Sequence, residues 1–330
     1  MPTSEKKIVI GNTTATSNAV NTGDTINYQT TITAQSGAQN YVVHDTMSAG
    51  LTFDSTSLKV SRKNGNADAT DVDAANFTLT TPASNNETFT LSFKQSFLDT
   101  LVPGEKLIIT YNAKLTNAAA VTLPTDSAAT PNTNTSFVTY GTATGTSGTG
   151  TAKAGQTTEN VTNTYTYALP IYKTTNAGGT EKGLAGAKFT LSTNSNGSNP
   201  ITFDANNFVD PDGKVTEFTT PETPELGKFT LKGLAPGTYY LTETEAPAGY
   251  AKLAASIKIV INADGSFVES ITAGEENTDT DEVKVVNQTH AELPGTGGIG
   301  TTIFYVVGAV LIIGAIVLLV TRKRMNHSED

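Results

Sequence analysis

The sequence predicts an all-β protein of two tandem β-sandwich domains, followed by a single C-terminal transmembrane helix. Three observations support this fold class: short runs of β-branched and aromatic residues that alternate with polar ones, turn residues between these runs, and one long apolar segment near the C-terminus. Alternation with a period of two is typical of strands with one buried face. Before the apolar segment, only residues 73–77 and 95–101 suggest a helical turn. We therefore expect immunoglobulin-like sandwiches.

The first domain is predicted to span residues 1–168 and the second residues 169–289, with the C-terminal signal in residues 290–330. Strands of the first domain are expected at Thr25–Ile32, Phe89–Phe93 and Leu107–Leu115. Strand character resumes at Val161–Lys173, and Leu169 with Pro170 is expected to mark the passage into the second domain. The strands expected in the second domain are Ala187–Leu191, Lys228–Leu231, Gly237–Thr244, Ser256–Ile261 and Val283–Asn287.

Composition excludes several classes of function. The 330 residues carry a formal net charge of −10, which disfavours binding to nucleic acid phosphates. The absence of cysteine excludes disulfides, thiol catalysis and zinc–thiolate sites. The three histidines, His44, His290 and His327, are scattered, and no convergent acid pair or Ser–His set is visible. We therefore expect no metal, no other cofactor and no enzymatic turnover on a substrate.

The C-terminal segment predicts an anchor in a membrane. Ile303–Val320 contains 18 residues without a charge, which with its flanks is long enough to cross a bilayer. Arg322, Lys323 and Arg324 follow directly and predict a cytoplasmic C-terminus, so the preceding residues would lie outside the cell. The first seven residues contain no apolar segment of a signal peptide, so we expect that a longer N-terminus precedes Met1.

A short motif precedes the apolar segment. Leu293, Pro294, Gly295, Thr296 and Gly297, then the apolar span and the basic tail, resemble the sorting signal of Gram-positive cell-wall proteins. The resemblance implies cleavage between Thr296 and Gly297 by a sortase, with transfer of the Thr296 carbonyl to an amine. The implied partners are sortase and peptidoglycan, and the implied location is the cell wall of a Gram-positive bacterium.

A second motif lies in the second domain. Residues 239–250, YYLTETEAPAGY, resemble the E-box of pilin and adhesin domains of the collagen-adhesin B type. On a strand, Tyr239, Leu241 and Glu243 share one face. Glu245 follows a bend and is expected to have no inward role. The period therefore predicts that Glu243 lies among apolar neighbours.

The same resemblance implies a covalent cross-link inside the second domain. It joins Lys173, in the first strand, to Asn287, in the last strand, through an isopeptide bond that Glu243 assists. Burial disfavours the charged forms of the amine and the carboxyl, so that both can be neutral. A neutral amine can attack the amide, ammonia leaves, and Glu243 carries the proton. The alternative is a half-buried salt bridge between Lys173 and Glu243.

The first domain resembles the middle domain of Gram-positive major pilins less closely. The resemblance rests on residues 2–8 (PTSEKKI), 21–28 (NTGDTINY) and 44–53 (HDTMSAGLTF). It implies a second Lys–Asn isopeptide bond, assisted by an aspartate that precedes a threonine. That aspartate would be Asp45.

The lysine and the asparagine of this first bond each have two candidates. The lysine is Lys6 if it shares a face with Ile8 and Ile10, or Lys7 if the period slips by one residue. For the asparagine, Asn134 is the first choice and Asn132 the second. The alternative is that the lysines are solvated at a frayed N-terminus.

These resemblances imply a structural subunit of a sortase-assembled, wall-anchored pilus that supports adhesion and is joined covalently to neighbouring pilin subunits. The alternative is a wall-anchored adhesin whose first domain binds host extracellular matrix or another host surface protein. The Tyr-Pro-Lys of the pilin motif does not occur in the sequence. Either the sequence begins just after that motif, or the chain is a minor subunit.

Overall fold

The computed structural model describes residues 1–84, 86–142, 153–176, 178–270 and 281–289. These residues form two β-sandwiches, each around its own apolar core, as the alternating sequence pattern predicts. Within the described ranges, no helix is long and apolar enough to span a membrane. The predicted transmembrane helix, Ile303–Val320, lies outside them, as does the basic tail.

The first sandwich is built from thirteen of the described strands. Their bounds are β1 (Thr3–Ile10), β2 (Thr13–Ala15), β3 (Ser17–Ala19), β4 (Thr25–Thr33), β5 (Val42–Met47), β6 (Leu51–Lys63), β7 (Thr70–Asp71), β8 (Phe77–Thr80), β9 (Phe89–Phe93), β10 (Lys106–Leu115), β11 (Asn132–Thr142), β12 (Lys153–Gln156) and β13 (Asn160–Tyr165). Two helical turns interrupt it, a 3₁₀ turn (Ala74–Asn76) and α1 (Gln95–Leu98).

Two facing sheets make up this first sandwich. One has the strand order β2-β1-β4-β10-β6-β7, and the other has the order β3-β13-β11-β5-β9-β8, with β12 paired to β11. The core between them includes aromatic side chains such as Tyr28, Phe89 and Tyr111. Strands β1 and β10 therefore face β5 and β11 across the core.

The second sandwich contains the other nine described strands. They are β14 (Tyr167–Thr175), β15 (Lys182–Gly183), β16 (Lys188–Ser192), β17 (Phe218–Thr219), β18 (Lys228–Leu234), β19 (Gly237–Glu245), β20 (Ile257–Ile261), β21 (Phe267–Ser270) and β22 (Val283–Val286). One sheet places β14 between β18 and β22, with β15 also paired to β14, and the other has the order β17-β16-β19-β20-β21. The pairing of β14 with β22 is parallel, so the first and last described strands of this sandwich are direct neighbours.

The strand character predicted for Val161–Lys173 is confirmed, but it is divided between two strands. These are β13 and β14, which belong to different sandwiches and are separated at Thr166. Tyr167 already belongs to the second core. The apolar alternation runs through the junction because both strands have buried faces, so the sequence pattern contains no break. The division at residues 168 and 169 stays a prediction.

The contacts between the two sandwiches include a short seam, which we define as Asn21, Thr22 and Gly23 of the first sandwich with Val209, Pro211, Gly233 and Ala235 of the second. The Thr22 backbone amide donates to the Gly233 carbonyl (2.9 Å), and the Thr22 hydroxyl donates to the Val209 carbonyl (2.5 Å). Gly23 has φ +90°, and a Cβ atom added to it would lie 2.2 Å from Cδ of Pro211. The seam therefore requires glycine at this position, for both backbone conformation and space.

Candidate functional site

Three polar side chains meet inside the second sandwich. Lys173 lies on β14, Glu243 on β19 and Asn287 directly after β22, and each is at most 1% exposed. The predicted strand periods place them there. Leu169 and Ile171 are buried on the same face of β14 as Lys173. A register shift follows Glu243 in the pairing of β19 with β16, and this irregularity is the bend expected in the motif.

Glu243 lies between the amide and the amine. The Asn287 side-chain amide donates to Oε1 of Glu243 at 2.8 Å, and the same oxygen lies 4.0 Å from Nζ of Lys173. Oε2 of Glu243 accepts a hydrogen bond from the Leu253 backbone amide at 2.7 Å. The Lys173 amine donates to the Val285 carbonyl at 3.0 Å. Oδ1 of Asn287 has no hydrogen-bond partner within the described chain.

The environment of Lys173 favours a neutral amine. Burial lowers the pKa of Lys173 to about 8, and the nearby Glu243 carboxylate opposes this shift only in part. The unprotonated amine is therefore much more populated near neutral pH than in an exposed lysine. The unprotonated Lys173 amine can act as the nucleophile of an acyl transfer, and the buried Asn287 amide can act as its electrophile.

A corresponding set of side chains lies inside the first sandwich. Lys6 on β1, Asp45 on β5 and Asn134 on β11 are all at most 2% exposed. Nζ of Lys6 lies 2.5 Å from Oδ2 of Asp45 and 2.7 Å from Oδ1 of Asn134. The two facing sheets thus bring together residues that are far apart in the sequence.

Charge is disfavoured at this first-sandwich site as well. Burial lowers the pKa of Lys6, although the charge of Asp45 and its hydrogen bond oppose the shift. Burial also raises the pKa of Asp45, against the opposing influence of Lys6. Both shifts favour a neutral amine beside a protonated carboxyl.

A further polar side chain of this site, Tyr111 on β10, is not among the residues predicted from the sequence. Its hydroxyl donates to Oδ2 of Asp45 at 2.5 Å and accepts from Nζ of Lys6 at 2.5 Å. Nδ2 of Asn134 lies 3.4 Å from the same hydroxyl. The only sequence signal was the inward period of β10, which predicts a buried tyrosine but not its polar partners.

The structure distinguishes the alternatives that the sequence left open. Lys7 lies on the other face of β1, where its amine pairs with Glu5 at 3.0 Å. Asn132 is buried, but its side chain bonds to the backbone of Ala120, with Oδ1 accepting at 2.9 Å and Nδ2 donating at 3.0 Å. Lys6 and Asn134 are therefore the pair that meets Asp45.

Three further predictions concern Glu245, the sorting residues and Ile10. Glu245 is exposed, and its carboxylate pairs with Lys188 at 2.6 Å, away from the buried site. The sorting residues 293–297 lie outside the described residues. Ile10 is 47% exposed, so the buried face of β1 includes Lys6 and Ile8 only.

Comparison with known proteins identifies two regions of the chain. Residues 169–277 match the SpaA family, described as a prealbumin-like fold domain, and residues 285–327 match the LPXTG cell wall anchor motif. No curated protein sequence gives a match.

The fold is shared with solved pilins. The 35 kDa C-terminal fragment of the major pilin GBS80 of Streptococcus agalactiae is 18% identical, with a TM-score of 0.59, and the match covers 87% of this chain and all of that fragment. Full-length RrgB, a major pilin of Streptococcus pneumoniae, is 16% identical with a TM-score of 0.62, covering 88% of this chain and 75% of RrgB. The group B streptococcus pilus 2b backbone protein is 22% identical with a TM-score of 0.57, covering 88% of this chain and 99% of that protein.

These comparisons confirm the predicted class of protein. The chain combines a SpaA-type domain with an LPXTG anchor and has the fold of Gram-positive major pilins. It is a surface protein of the Gram-positive cell wall. The matched structures are described as a major pilin and a pilus backbone.

Proposed function

We propose that this chain is a structural subunit of a sortase-assembled pilus, and that each sandwich cross-links itself through one Lys–Asn isopeptide bond. The observation that carries the proposal is the pair of buried Lys–carboxyl–Asn sets, one in each sandwich. The anchor motif and the pilin fold support the assembly into a pilus and the attachment to peptidoglycan.

In the second sandwich the reaction starts from the neutral amine of Lys173. Its nitrogen attacks Cγ of Asn287, and the bond between Cγ and Nδ2 then breaks. Glu243, which already contacts Nδ2, takes the proton from the amine and gives it to the departing nitrogen, which leaves as ammonia. The carboxyl returns to its initial state, so each domain reacts once and no cofactor is consumed.

The expected benefit is resistance to unfolding. The second bond would close a loop of 114 positions between Lys173 and Asn287. By the loop-closure model, a cross-link of this span adds about 4–5 kcal/mol to the free energy of unfolding. Unlike a disulfide, an amide is not opened by reductants.

The proposal includes the division of the chain into two domains, residues 1–168 and 169–289, and a C-terminal sorting signal, residues 290–330. The sorting signal is the substrate of the second proposed reaction. Sortase would cleave after Thr296 and join its carbonyl to an amine of a neighbouring pilin or of peptidoglycan. Replacing Thr296 with Ala should leave both sandwiches folded and abolish covalent attachment to the wall. Normal attachment of this variant would show that residues 293–297 are only a linker.

Intact-mass measurement of residues 1–292 tests the cross-links. Each bond lowers the mass by about 17 Da through loss of ammonia. Because one bond is proposed in each sandwich, we expect the loss of two ammonia molecules. In Glu243→Ala the bond in the second sandwich should not form, because the proton carrier is lost, whereas the bond in the first sandwich should form as before. The mass of this variant should therefore show the loss of one ammonia instead of two. Glu245→Ala is the matched control, since this carboxylate is exposed and pairs with Lys188. A parent mass equal to the sequence mass would refute both bonds.

A further inference from the structure

The two buried sites differ in how the carboxyl reaches the leaving nitrogen. In the second sandwich, Oε1 of Glu243 accepts a hydrogen bond directly from Nδ2 of Asn287. In the first sandwich, Oδ2 of Asp45 contacts Lys6 and Tyr111, and Oδ1 has no hydrogen-bond partner within the described chain. Within the described residues, no hydrogen bond joins Asp45 to the amide nitrogen that must leave, which leaves a gap in the path of the proton.

The Tyr111 hydroxyl occupies that gap. It lies 2.5 Å from Oδ2 of Asp45, 2.5 Å from Nζ of Lys6 and 3.4 Å from Nδ2 of Asn134. It therefore touches the acid, the nucleophile and the leaving group together. In the part of the chain that the structure describes, the recorded hydrogen bonds of the Lys173, Glu243 and Asn287 side chains go to backbone groups or to one another.

We propose that Tyr111 is a third catalytic residue of the first sandwich, where its hydroxyl relays a proton from Asp45 to the leaving nitrogen of Asn134. This inference rests on the proposed cross-linking function. Nζ of Lys6 forms the bond to Cγ of Asn134, and the proton that this nitrogen loses replaces the one that Asp45 gives up. Tyr111 gives its proton to Nδ2 and regains one from Asp45. The bond between Cγ and Nδ2 breaks, ammonia leaves, and Tyr111 and Asp45 end as they began.

The surroundings of Tyr111 suit such a relay. Its ring stacks on Tyr28 at 5.5 Å between centroids and meets Phe89 edge-on at 5.1 Å, which fixes the direction of the hydroxyl. Burial and the nearby Asp45 raise the pKa of the Tyr111 phenol well above its ordinary value. The hydroxyl therefore keeps its proton until the developing amine of the tetrahedral intermediate accepts it.

The test compares Tyr111→Phe with Tyr28→Phe. Both changes remove one buried hydroxyl from the same ring stack, but the Tyr28 hydroxyl makes no hydrogen bond to Asp45. Residues 1–292 are synthesised in a cell-free reaction and denatured at timed intervals. Intact mass gives the loss of ammonia, and peptide mapping assigns it to Lys6–Asn134 or to Lys173–Asn287. The second bond of each molecule is an internal control.

We expect Tyr111→Phe to slow the first bond about 10²-fold or more, the usual effect of removing a proton-transfer group. The second bond should form at the parental rate in the same molecules, and Tyr28→Phe should change the first bond less than tenfold. A parental rate for the first bond in Tyr111→Phe would overturn the relay. If the parent itself loses no ammonia, the proposed function fails instead.

A loss of folding in Tyr111→Phe would imitate the loss of a relay. Circular dichroism and trypsin resistance of an Asn134→Ala background, with and without Tyr111→Phe, measure this directly. If the variant does not fold, 3-fluorotyrosine at position 111 keeps the ring and the hydroxyl but makes the phenol more acidic. A relay predicts a changed rate of bond formation, whereas an unchanged rate would overturn the proposal.

Discussion

Lys6 and Lys173 are the two lysines whose side chains are fully buried in the described structure. Burying an ammonium group without full compensation is costly, and the usual response of a protein is to neutralise it. Each buried lysine here faces one carboxyl and one asparagine amide. If the amine becomes part of an amide, the group that is costly to bury disappears. The proposed reaction therefore removes an energetic penalty that the unreacted fold carries.

The free amine of Lys173 should make stability depend on pH. In the Asn287→Ala variant the Lys173 amine stays unreacted. In the double variant, Lys173→Met with Asn287→Ala, the amine is absent. Because the folded pKa, about 8, is below the ordinary value of 10.5, the unfolded chain binds more protons between these pH values. The free energy of unfolding of Asn287→Ala should therefore rise with pH across this window, relative to the double variant.

Urea unfolding of both variants between pH 7 and pH 11 measures this difference. The two stability curves should diverge by on the order of 3 kcal/mol, with the penalty largest below pH 8. Parallel curves would show that Lys173 does not titrate with a lowered pKa in the folded domain.

Strand β1 carries Lys6 into the first core, and its position depends on the side chains beside it. Ile8 is 1% exposed and Ile10 is 47% exposed, although both lie on the same strand. Pairing with β4 holds Lys6 opposite Thr30 and Ile8 opposite Tyr28. The apolar contacts of Ile8 are therefore the main anchor of this segment near the site.

Ile8→Ala and Ile10→Ala make a matched pair on β1. In an Asn134→Ala background, which excludes the cross-link, Ile8→Ala should lower the free energy of unfolding by about 2–5 kcal/mol. Ile10→Ala should lower it by about 1 kcal/mol or less, because about half of this residue is already exposed to water. Chemical denaturation gives both values, and equal losses would contradict the burial pattern of β1.

Sequence reasoning reached the second site more fully than the first, and the reason is physical. Along β19 the alternation is unbroken up to Glu243, and the bend expected after it distinguishes Glu243 from Glu245, which has the same parity. At the start of β1 two consecutive lysines fit either parity, and only the facing sheet distinguishes them. Tyr111 could not be found, because its role depends on β10 lying across the core from β5 and β11. Similarly, the junction at Thr166 leaves no mark in an apolar pattern that continues through it.

At the scale of the whole molecule, the seam couples the two sandwiches through backbone as well as side-chain contacts. Its hydrogen bonds include those of Thr22 to Gly233 and Val209, and a bond from the Ala235 amide to the Asn21 side chain at 2.8 Å. Backbone contacts of this kind require close approach, which Gly23 permits.

Gly23→Ala should weaken this seam. Gly37→Ala is the control, because Gly37 also has a positive φ, +71°, but a Cβ atom there would meet nothing within 4 Å. Both variants carry backbone strain of about 1–3 kcal/mol, whereas only Gly23→Ala also clashes with Pro211. Hydrogen exchange at the Thr22 and Ala235 amides should accelerate in Gly23→Ala alone. Equal exchange in both variants would show that the seam does not depend on this contact.

The parallel pairing of β14 with β22 has a mechanical consequence. The chain enters the second sandwich along β14 and leaves it along β22 in the same direction, with Ile171–Thr174 beside Val283–Val286. A pull on the two ends of this domain therefore draws the neighbouring strands past each other along their length. Until the proposed Lys173–Asn287 bond forms, the evenly spaced hydrogen bonds of this parallel ladder bear the load together, in shear, and afterwards the covalent bond between the same two strands bears it. Tension along the chain is thus met at the one place where entry and exit strands touch, and the rest of the sandwich is shielded from it.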